Sequence, residues 1–281
     1  MVSVIIPVYN RRELVLQAVS SVLGQSWGDL EIILADDGST DGLDEAVIPY
    51  CRDHRLRYIP LEHHGYPGAV RNRGAEHARG DWIAFLDSDD LWLPEKLQHQ
   101  MELSMTRPEL QCIHCTEIWL RGEQVISQRT QRHRREGYLF SDSLKKCIIG
   151  PSTVIIRRNL YELLDGFRED MVVAEDYELW LRLTAREEVG YVHQPLVVKR
   201  AGYGGDQLSE RYGQIEVFRI QGLLDLLNTG WLKERPGKRE EACRELARKC
   251  LIYAGGARKR GHEQEAGHYE SIAREFSAAS S

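Results

Sequence analysis

Three carboxylates directly follow the apolar stretch Trp82–Phe85. They are Asp87, Asp89 and Asp90, and only Ser88 separates the first from the second. Like charges so close together repel and raise one another's pKa, so packing alone gives no reason to group them at the end of a buried strand. A divalent cation would remove that repulsion, and carboxylates plus substrate phosphates are typical ligands of Mg²⁺ and Mn²⁺. The pattern predicts a metal-diphosphate site; a solvated acidic turn is the simpler alternative.

A second acidic pair, Asp36 and Asp37, follows the apolar strand predicted at Leu30–Ala35. An aspartate at this place can accept hydrogen bonds from a ring N–H or from hydroxyls, which would give specificity for a nucleoside. The alternative is a helix cap, with Ser39 or Asp41 as the capping residue. Both roles are compatible if one aspartate faces the ligand.

Two further polar residues stand at helix positions. Arg71 lies on the helix predicted at Gly68–Arg79, where it could pair with a phosphate or with Asp87. An exposed helix arginine is the alternative. Asp176 directly precedes the helix predicted at Tyr177–Arg186, where the helix dipole stabilises a carboxylate. It is either a capping residue or a general base that faces an acceptor hydroxyl.

Strands and helices alternate along the first ninety residues, which is typical of a parallel sheet with crossover helices. In such sheets ligands bind outside the carboxyl ends of the strands. The polar residues fall at those ends, at Tyr9-Asn10, Asp36-Asp37 and Asp87–Asp90. We therefore expect them to meet at one edge of the sheet.

The remaining elements follow from periodicity and capping signals. Asn10 is predicted to cap the first helix with Glu13 as its capping-box partner. The other predicted elements are a helix at Asp44–Arg52, strands at Arg57–Ile59, Gln111–Leu120, Gln124–Ser127, Ser152–Arg157, Glu188–Val192 and Leu196–Arg200, and a helical hairpin at Arg239–Arg258 and Gln264–Phe276 that is broken at Gly261. We expect a domain at residues 1–208, made of halves 1–95 and 96–208, and a helical region at 209–281.

The bulk properties narrow the classes of partner. A net charge of -6 gives no general footprint for nucleic acid. No apolar run approaches the ~18 residues that span a bilayer, and the N-terminus has the pattern of a strand rather than of a signal peptide. We expect a cytoplasmic protein with peripheral membrane contact left open. The six cysteines, including the pair Cys112 and Cys115, are expected to be reduced thiols and not a zinc site.

Five motifs occur in the order of a known family. They are Val4–Asn10 (VIIPVYN), Ala35–Asp41 (ADDGSTD), Ala69–Asn72 (AVRN), Phe85–Asp90 (FLDSDD), and Glu175-Asp176 followed by Trp180 and Arg182. Over about residues 2 to 210 the chain resembles the family 2 inverting glycosyltransferases of GT-A fold. The resemblance implies a mixed α/β sheet flanked by helices, with the C-terminal helices as an extension.

The resemblance also implies the substrates and the role of each residue. The donor would be a nucleotide-diphospho-sugar, usually UDP-linked, with a Mg²⁺ or Mn²⁺ ion, and the acceptor a glycan or a lipid-linked sugar. Asp89 would bind the metal, Asp87 would lie near the metal and the ribose, and Asp176 would deprotonate the acceptor hydroxyl. The other residues assigned to the donor site are Pro7, Val8, Tyr9, Asp37, Arg71, Ser88 and Arg200.

The chain departs from the family pattern after the last predicted strand. Many relatives carry a histidine or arginine there, near the diphosphate, whereas Tyr203 stands at the expected position. Arg200 or Tyr203 would take that role, and the adjoining glycines favour a lid that closes over the donor. The QxxRW signature of processive synthases is absent, which favours a single-addition enzyme.

Two other functions compete with glycosyl transfer. A nucleotidyltransferase would carry a glycine-rich loop with lysine after the first strand, but Pro7–Arg12 (PVYNRR) stands there. A catalytically inactive sugar-nucleotide-binding or scaffolding module is the other alternative. The basic segment Gln128–Glu136 could meet an anionic acceptor or be solvated, and the C-terminal helices could form a homodimer.

Overall fold

A mixed β-sheet lies at the centre of the protein. The computed structural model describes residues 1–122, 124–126, 135–201 and 215–278. Within these residues the sheet has nine strands in the order β3-β2-β1-β4-β8-β6-β9-β5, with β7 paired to β6. The strands are β1 (Val2–Val8), β2 (Leu30–Asp36), β3 (Leu56–Pro60), β4 (Trp82–Phe85), β5 (Leu91–Trp92), β6 (Cys112–Arg121), β7 (Gln124–Ile126), β8 (Ile155–Arg157) and β9 (Val189–Ala201).

Helices cover the sheet and extend beyond it. They are α1 (Arg12–Leu23), α2 (Leu43–Ala46), α3 (Pro67–Glu76), α4 (Lys96–Thr106), α5 (Phe140–Lys145), α6 (Arg158–Leu163), α7 (Glu175–Thr184), α8 (Ile215–Asn228), α9 (Pro236–Lys259) and α10 (Glu263–Ala278). The first four strands of the path pair in parallel, whereas β8 runs antiparallel to β4 and to β6. The parallel pairing predicted for the first strands is confirmed. The antiparallel pairs that β8 forms make the sheet as a whole mixed.

Strand β1 is covered on both faces, as its continuous apolar run predicts. Val4 and Ile6 belong to one hydrophobic cluster together with residues of α1. Ile5 belongs to a second cluster on the opposite face, together with Phe85 and Trp180. Side chains along a strand alternate between the faces, so one strand serves both clusters.

The predicted cap of the first helix is wrong. Asn10 has φ of 49°, in the left-handed region that asparagine tolerates, and its Oδ1 accepts the Thr40 backbone N–H at 2.7 Å. Helix α1 begins at Arg12, whose backbone N–H donates to Asp41 Oδ2 at 2.8 Å, and the N-cap residue Arg11 makes no side-chain capping bond. Asn10 instead links the end of β1 to the loop after β2. Because that loop is distant in the sequence, local capping rules could not indicate this bond.

The helix predicted at Asp44–Arg52 is wrong in length. It is divided into α2 and a 3₁₀ turn at Tyr50–Arg52, with Pro49 directly before the turn. A proline interrupts a helix because it lacks an N–H and its ring clashes with the preceding turn. Neither Ser39 nor Asp41 caps α2, since the N-cap position is Gly42 and no side chain bonds to it.

The last strand pair of the prediction is one strand. β9 runs parallel to β6 over its whole length, and the register shifts on either side of Thr116. This irregularity accommodates residues 193–194, which the prediction placed between two strands. The strand predicted at Ser152–Arg157 is also shorter, because Pro151–Thr153 forms a 3₁₀ turn before β8.

The C-terminal helices pack on the sheet-bearing part of the chain. Leu223 of α8 and Leu246 of α9 share a hydrophobic cluster with Tyr177 and Leu181 of α7. The helical hairpin is confirmed, and Gly261 has φ of 81° at its turn. Among the described helices, none has the length and apolar character to cross a bilayer. The domain boundary at residue 208 stays a prediction.

The close packing of α3 on the sheet gives a stability test. A Cβ at Gly74 would lie 2.6 Å from Ile5 Cγ2 and 3.4 Å from Ala35 Cβ. We expect Gly74→Ala to lower the free energy of unfolding by about 1–3 kcal/mol, because the buried strands must shift to admit the methyl group. Urea denaturation followed by circular dichroism measures this change.

Gly267 provides the matched control. It lies within α10, and a Cβ there meets no atom within 4 Å. We expect Gly267→Ala to be neutral or to stabilise by up to about 1 kcal/mol, because alanine has the higher helix propensity. Equal effects at the two positions would contradict the packing argument.

Candidate active site

The polar strand ends meet at one edge of the sheet, as predicted. Strands β2, β1 and β4 are neighbours and run in parallel. Val8 at the end of β1 pairs with Asp36, and Ile5 pairs with Phe85 at the end of β4. The acidic segment Asp87–Asp90 and the acidic pair after β2 therefore emerge on the same side of the molecule.

Arg71 is buried between two carboxylates. Its Nη2 donates to Asp87 Oδ1 at 2.7 Å and its Nη1 donates to Glu175 Oε1 at 2.6 Å. The guanidinium also lies 5.2 Å from the centre of the Phe167 ring. Burial acts to lower the pKa of Arg71, but the two carboxylates outweigh it and hold the pKa above its ordinary value. Arg71 therefore pairs with Asp87, and the alternative of an exposed helix arginine is wrong.

Asp87 has a second cation beside it. Lys199 Nζ lies 4.0 Å from Asp87 Oδ2, and the Asp87 backbone N–H donates to Ser152 Oγ at 3.1 Å. Burial acts to raise the pKa of Asp87, but the charges of Arg71 and Lys199 outweigh it and hold the pKa below its ordinary value. Asp87 is therefore held as an anion, and its side chain is still 23% exposed.

Asp90 is the buried member of the acidic segment. Ser152 Oγ donates to its Oδ2 at 2.6 Å, and Lys199 Nζ lies 3.7 Å from the same oxygen. Burial, together with the charges of Asp87 and Asp89, raises the pKa of Asp90 to about 7, although Lys199 acts in the opposite direction. The contacts of Asp90 are with the protein itself, so it serves to fix the acidic segment against the turn before β8.

Asp89 is bound by two arginines from different elements. Arg11 Nη1 lies 3.0 Å from Asp89 Oδ2. Arg200 Nε donates to the backbone oxygen of Asp89, and its Nη1 donates to Gln17 Oε1 at 2.6 Å. Arg200, which was assigned to the diphosphate, therefore lies at the acidic segment and links β9 to α1. Tyr203, the other candidate for that role, is outside the described residues.

The region assigned to the nucleobase forms around Asp37. Asp37 Oδ1 accepts the backbone N–H of His64 at 2.7 Å, and Oδ2 accepts that of Gly65 at 2.9 Å. His63 Nδ1 lies 3.0 Å from Oδ2, and the ring of His63 stacks on that of Tyr9 with the centres 4.2 Å apart. Asp37 thus shapes the loop after β3, while Tyr9 keeps 44% of its surface exposed.

The other residues assigned to the donor are less exposed. Val8 is buried, and its backbone oxygen accepts the Asp37 N–H at 2.9 Å. Pro7 is half-buried on β1, and Ser88 is buried within the acidic segment. Their side chains therefore offer little surface to a ligand.

Asp176 is the second residue of α7. Its Oδ1 accepts the Tyr177 N–H at 2.7 Å and its Oδ2 accepts the Cys147 thiol at 3.4 Å. The N-cap position is Ala174, with φ of 64°, so Asp176 is not the N-cap residue, although it accepts the Tyr177 N–H of the first turn. Burial raises the pKa of Cys147, and the charge of Asp176 raises it further, which keeps the thiol protonated as a donor.

Lys199 is held as a cation by the carboxylates around it. Burial acts to lower the pKa of Lys199, but the carboxylates of Asp90, Asp87, Glu117 and Asp176 outweigh it and hold the pKa above its ordinary value. Asp176 lies near Asp87 for a geometric reason as well, since Glu175, directly before it, shares the Arg71 guanidinium with Asp87. The two aspartates are 89 positions apart in the sequence.

Sequence reasoning assigned no role to three charged residues of this site. Lys199 stands next to Arg200 in the chain, Glu175 precedes Asp176, and Arg11 follows the first motif. Charge balance was the available signal: a group of carboxylates at a half-buried site needs cations nearby. Which cations would reach it depends on strand pairing, which the sequence pattern did not resolve.

The acidic segment offers two accessible carboxylates. Across the described parts of the chain, no group of three or more His, Cys, Asp and Glu side chains is arranged to hold a metal ion. The side chains of Asp87 and Asp89 are 23% and 18% exposed. Such a donor set fits Mg²⁺ or Mn²⁺, since these ions complete their shells with phosphate oxygens and water.

The ion pairs of Arg71 give a second stability test. We expect Arg71→Ala to lower the free energy of unfolding by about 3–5 kcal/mol, because it leaves Glu175 buried without its partner. Arg71→Lys should lose less, since an ammonium keeps the charge but not the two-pronged geometry. Arg73→Ala on the same helix, at a partly exposed position, is the control and should change stability by less than about 0.5 kcal/mol.

Comparison with known proteins identifies the family. The model of the family described as Glycosyl transferase family 2 matches residues 3–164. The chain is 34% identical over 193 residues to the putative teichuronic acid biosynthesis glycosyltransferase TuaG of Bacillus subtilis, covering 68% of this chain and 75% of that protein. It is 28% identical over 193 residues to the UDP-Glc:alpha-D-GlcNAc-diphosphoundecaprenol beta-1,3-glucosyltransferase WfgD of Escherichia coli, covering 69% and 73%.

Some relatives are much longer than the matched part. An uncharacterized glycosyltransferase of Rickettsia felis is 32% identical over 203 residues, which cover 72% of this chain but 33% of that protein. The chain therefore spans about one third of that relative.

Solved structures show the same fold. S. aureus TarS 1–349 in complex with UDP-GlcNAc aligns with a TM-score of 0.67 at 18% identity, covering 98% of this chain and 91% of that one. The mannosyltransferase PcManGT of Pyrobaculum calidifontis, in complex with GDP-Man and Mn²⁺, aligns with a TM-score of 0.61 at 18% identity, covering 97% and 85%. The predicted GT-A fold, a mixed sheet flanked by helices, is confirmed. Because the family model matches more than half of this chain, the chain belongs to glycosyl transferase family 2.

Proposed function

We propose that this protein transfers a sugar from a UDP-sugar to an acceptor hydroxyl with inversion at the anomeric carbon. The observation that carries the proposal is the Arg71 bridge, which joins Asp87 of the acidic segment at 2.7 Å to Glu175, the residue directly before Asp176, at 2.6 Å. A site that holds a leaving diphosphate and a base for the nucleophile requires these groups close together.

The proposed nucleobase position is the end of the site around Tyr9 and Asp37. A flat aromatic surface, the Tyr9–His63 stack, lies beside the loop that Asp37 holds. Aromatic rings favour offset stacking with other flat rings. The choice of uridine rests on relatives: the name of WfgD includes UDP-Glc, and TarS is solved with UDP-GlcNAc.

The proposed diphosphate position is the acidic segment. Asp89 and Asp87 would hold a Mg²⁺ or Mn²⁺ ion, together with oxygens of the donor, and PcManGT is solved with Mn²⁺. The bound ion would neutralise negative charge on the departing nucleoside diphosphate. Lys199 and Arg200 lie at the same place and would add positive charge toward those phosphates.

Asp176 is the proposed general base. Its carboxylate would take the proton of the acceptor hydroxyl while that oxygen forms a bond to the anomeric carbon. The bond from the anomeric carbon to the diphosphate oxygen breaks in the same step, and UDP leaves with the electron pair. The bonds from Tyr177 and Cys147 fix the orientation of both carboxylate oxygens, which supports this role.

The acceptor is proposed to be a glycan or a lipid-linked sugar in polysaccharide biosynthesis. TuaG is named for teichuronic acid biosynthesis and WfgD for a diphosphoundecaprenol-linked acceptor. A peripheral position at a membrane, a cytoplasmic location and a homodimer through the C-terminal helices stay predictions. The basic segment 128–136 falls largely outside the described residues.

The first experiment is a thermal-shift screen of sugar nucleotides with Mn²⁺, followed by a UDP-release assay. A rise in the melting temperature with one UDP-sugar supports the donor assignment, because a ligand that binds only the native state stabilises it. If no sugar nucleotide raises the melting temperature and no UDP is released, the proposed glycosyl transfer is contradicted.

Replacement of the proposed base should separate chemistry from binding. We expect Asp176→Asn to lower kcat by about 10²–10⁴-fold, because an amide cannot accept the proton. The asparagine oxygen still accepts the Tyr177 N–H, so the dissociation constant for UDP should stay within about twofold of wild type. UDP release and isothermal titration calorimetry measure the two quantities.

Asp44→Asn is the control for this variant. Asp44 is exposed in α2, away from the bonds described above, and its replacement should leave both quantities unchanged. Wild-type turnover in the Asp176→Asn variant would show that another group removes the proton.

Removal of metal tests the proposed diphosphate position. We expect EDTA to abolish UDP release, and Mn²⁺ or Mg²⁺ to restore it, because Asp89 and Asp87 supply only part of an ion's coordination and the donor supplies the rest. Asp89→Asn should weaken this restoration at a given metal concentration. Full activity in metal-free buffer would refute the role given to Asp89.

A further inference from the structure

Two polar side chains of β6 lie beside the site and have no part in the function proposed so far. Glu117 and Trp119 are two residues apart on the strand, so both side chains are on the same face of the sheet. Trp119 pairs with Lys199 of β9 in the strand register, and Lys199 Nζ lies 5.5 Å from the centre of the Trp119 ring. Both residues therefore adjoin the lysine that faces the acidic segment.

Glu117 has one oxygen bound and one without a donor. Its Oε1 accepts the Trp119 Nε1–H at 2.6 Å. Its Oε2 is shielded from solvent, and within the described part of the chain no group donates a hydrogen bond to it. A buried carboxylate oxygen in this state is unfavourable, so a ligand that brings a donor to Oε2 gains binding energy.

Gly150 lies close to this oxygen and places no side chain against it. A Cβ at position 150 would lie 3.0 Å from Glu117 Oε2 and 3.8 Å from Lys199 Nζ. The same segment carries Cys147, whose thiol donates to Asp176. The Glu117 oxygen that lacks a donor is therefore next to the segment that contacts the proposed base, close to where the acceptor hydroxyl would be deprotonated.

We propose that Glu117 and Trp119 form a subsite for a hexopyranose ring. Glu117 accepts hydrogen bonds from ring hydroxyls, and the electron-rich face of Trp119 packs against the C–H groups of the sugar. The proposal rests on the proposed glycosyl transfer. The ring is either the hexosyl group of the donor or the terminal sugar of the acceptor, since both present the same hydroxyl and C–H chemistry.

Glu117→Gln and Trp119→Leu test the subsite by calorimetry with UDP, UDP-glucose and UDP-GlcNAc. The dissociation constant for UDP should stay within about twofold of wild type in both variants. If the ring belongs to the donor, the affinity for the UDP-sugar that wild type prefers falls about tenfold. If it belongs to the acceptor, both nucleotide affinities are unchanged, and p-nitrophenyl hexopyranosides lose the saturation-transfer NMR signal that they give with wild type.

Deoxy analogues of the affected sugar separate recognition from a merely structural effect. Removing a hydroxyl that donates to Glu117 should lower the affinity of wild type for the sugar. The same removal should change the affinity of the Glu117→Gln variant little. Glu162→Gln, at an exposed position in α6, should behave as wild type in every assay.

Two results would overturn the subsite. One is that both variants bind the UDP-sugars and the pyranosides as tightly as wild type does. The other is an equal loss for UDP and for the UDP-sugars, which indicates a general disturbance of the donor site. If wild type binds no UDP-sugar at all, the proposed function fails and the subsite fails with it, whereas failure of the subsite alone leaves wild-type donor binding intact.

Discussion

A buried guanidinium organises this site. Arg71 bridges Asp87, which follows β4, and Glu175, which begins α7, and these carboxylates lie 88 residues apart in the sequence. Burying an arginine is unfavourable unless its charge is paired, so these two ion pairs favour one mutual arrangement of the three elements that carry them. Because Asp176 follows Glu175 directly, this arrangement also determines where the proposed base lies.

The carboxylates of this site lie close together although they do not form a complete coordination shell for a metal ion. Asp87, Asp89 and Asp90 each have a cationic side chain within 4.0 Å, supplied by Arg71, Lys199 and Arg11. The electrostatic problem posed by three adjacent acids is therefore solved largely by the protein itself. An ion would add to this balance at Asp89 and Asp87, whose oxygens still reach solvent, and not at Asp90, which is buried against Ser152.

The sequence predicted those parts of the molecule that depend on local order. Apolar runs located the parallel strands, and the rule that ligands bind at their carboxyl ends brought Asp37 and Asp87 to one edge of the sheet. The family resemblance added the place of Asp176. The pairing of Arg71 with Glu175 and the approach of Lys199 from β9 depend on contacts between distant segments. Local rules could not predict these contacts, and the misassigned cap at Asn10 has the same cause, since its partner Thr40 lies in another loop.

The C-terminal helices have a structural reason to be part of this protein. Helix α7 contacts α3 through the Arg71–Glu175 pair at its first turn, while Tyr177 and Leu181 on the same helix are buried against α8 and α9. A ten-residue helix is marginal by itself and depends on packing for its position. Support from both sides therefore fixes the first turn of α7, and with it Asp176, more firmly than the ion pair alone. The helical extension thus contributes to the geometry of the site without placing any of the residues proposed for chemistry there.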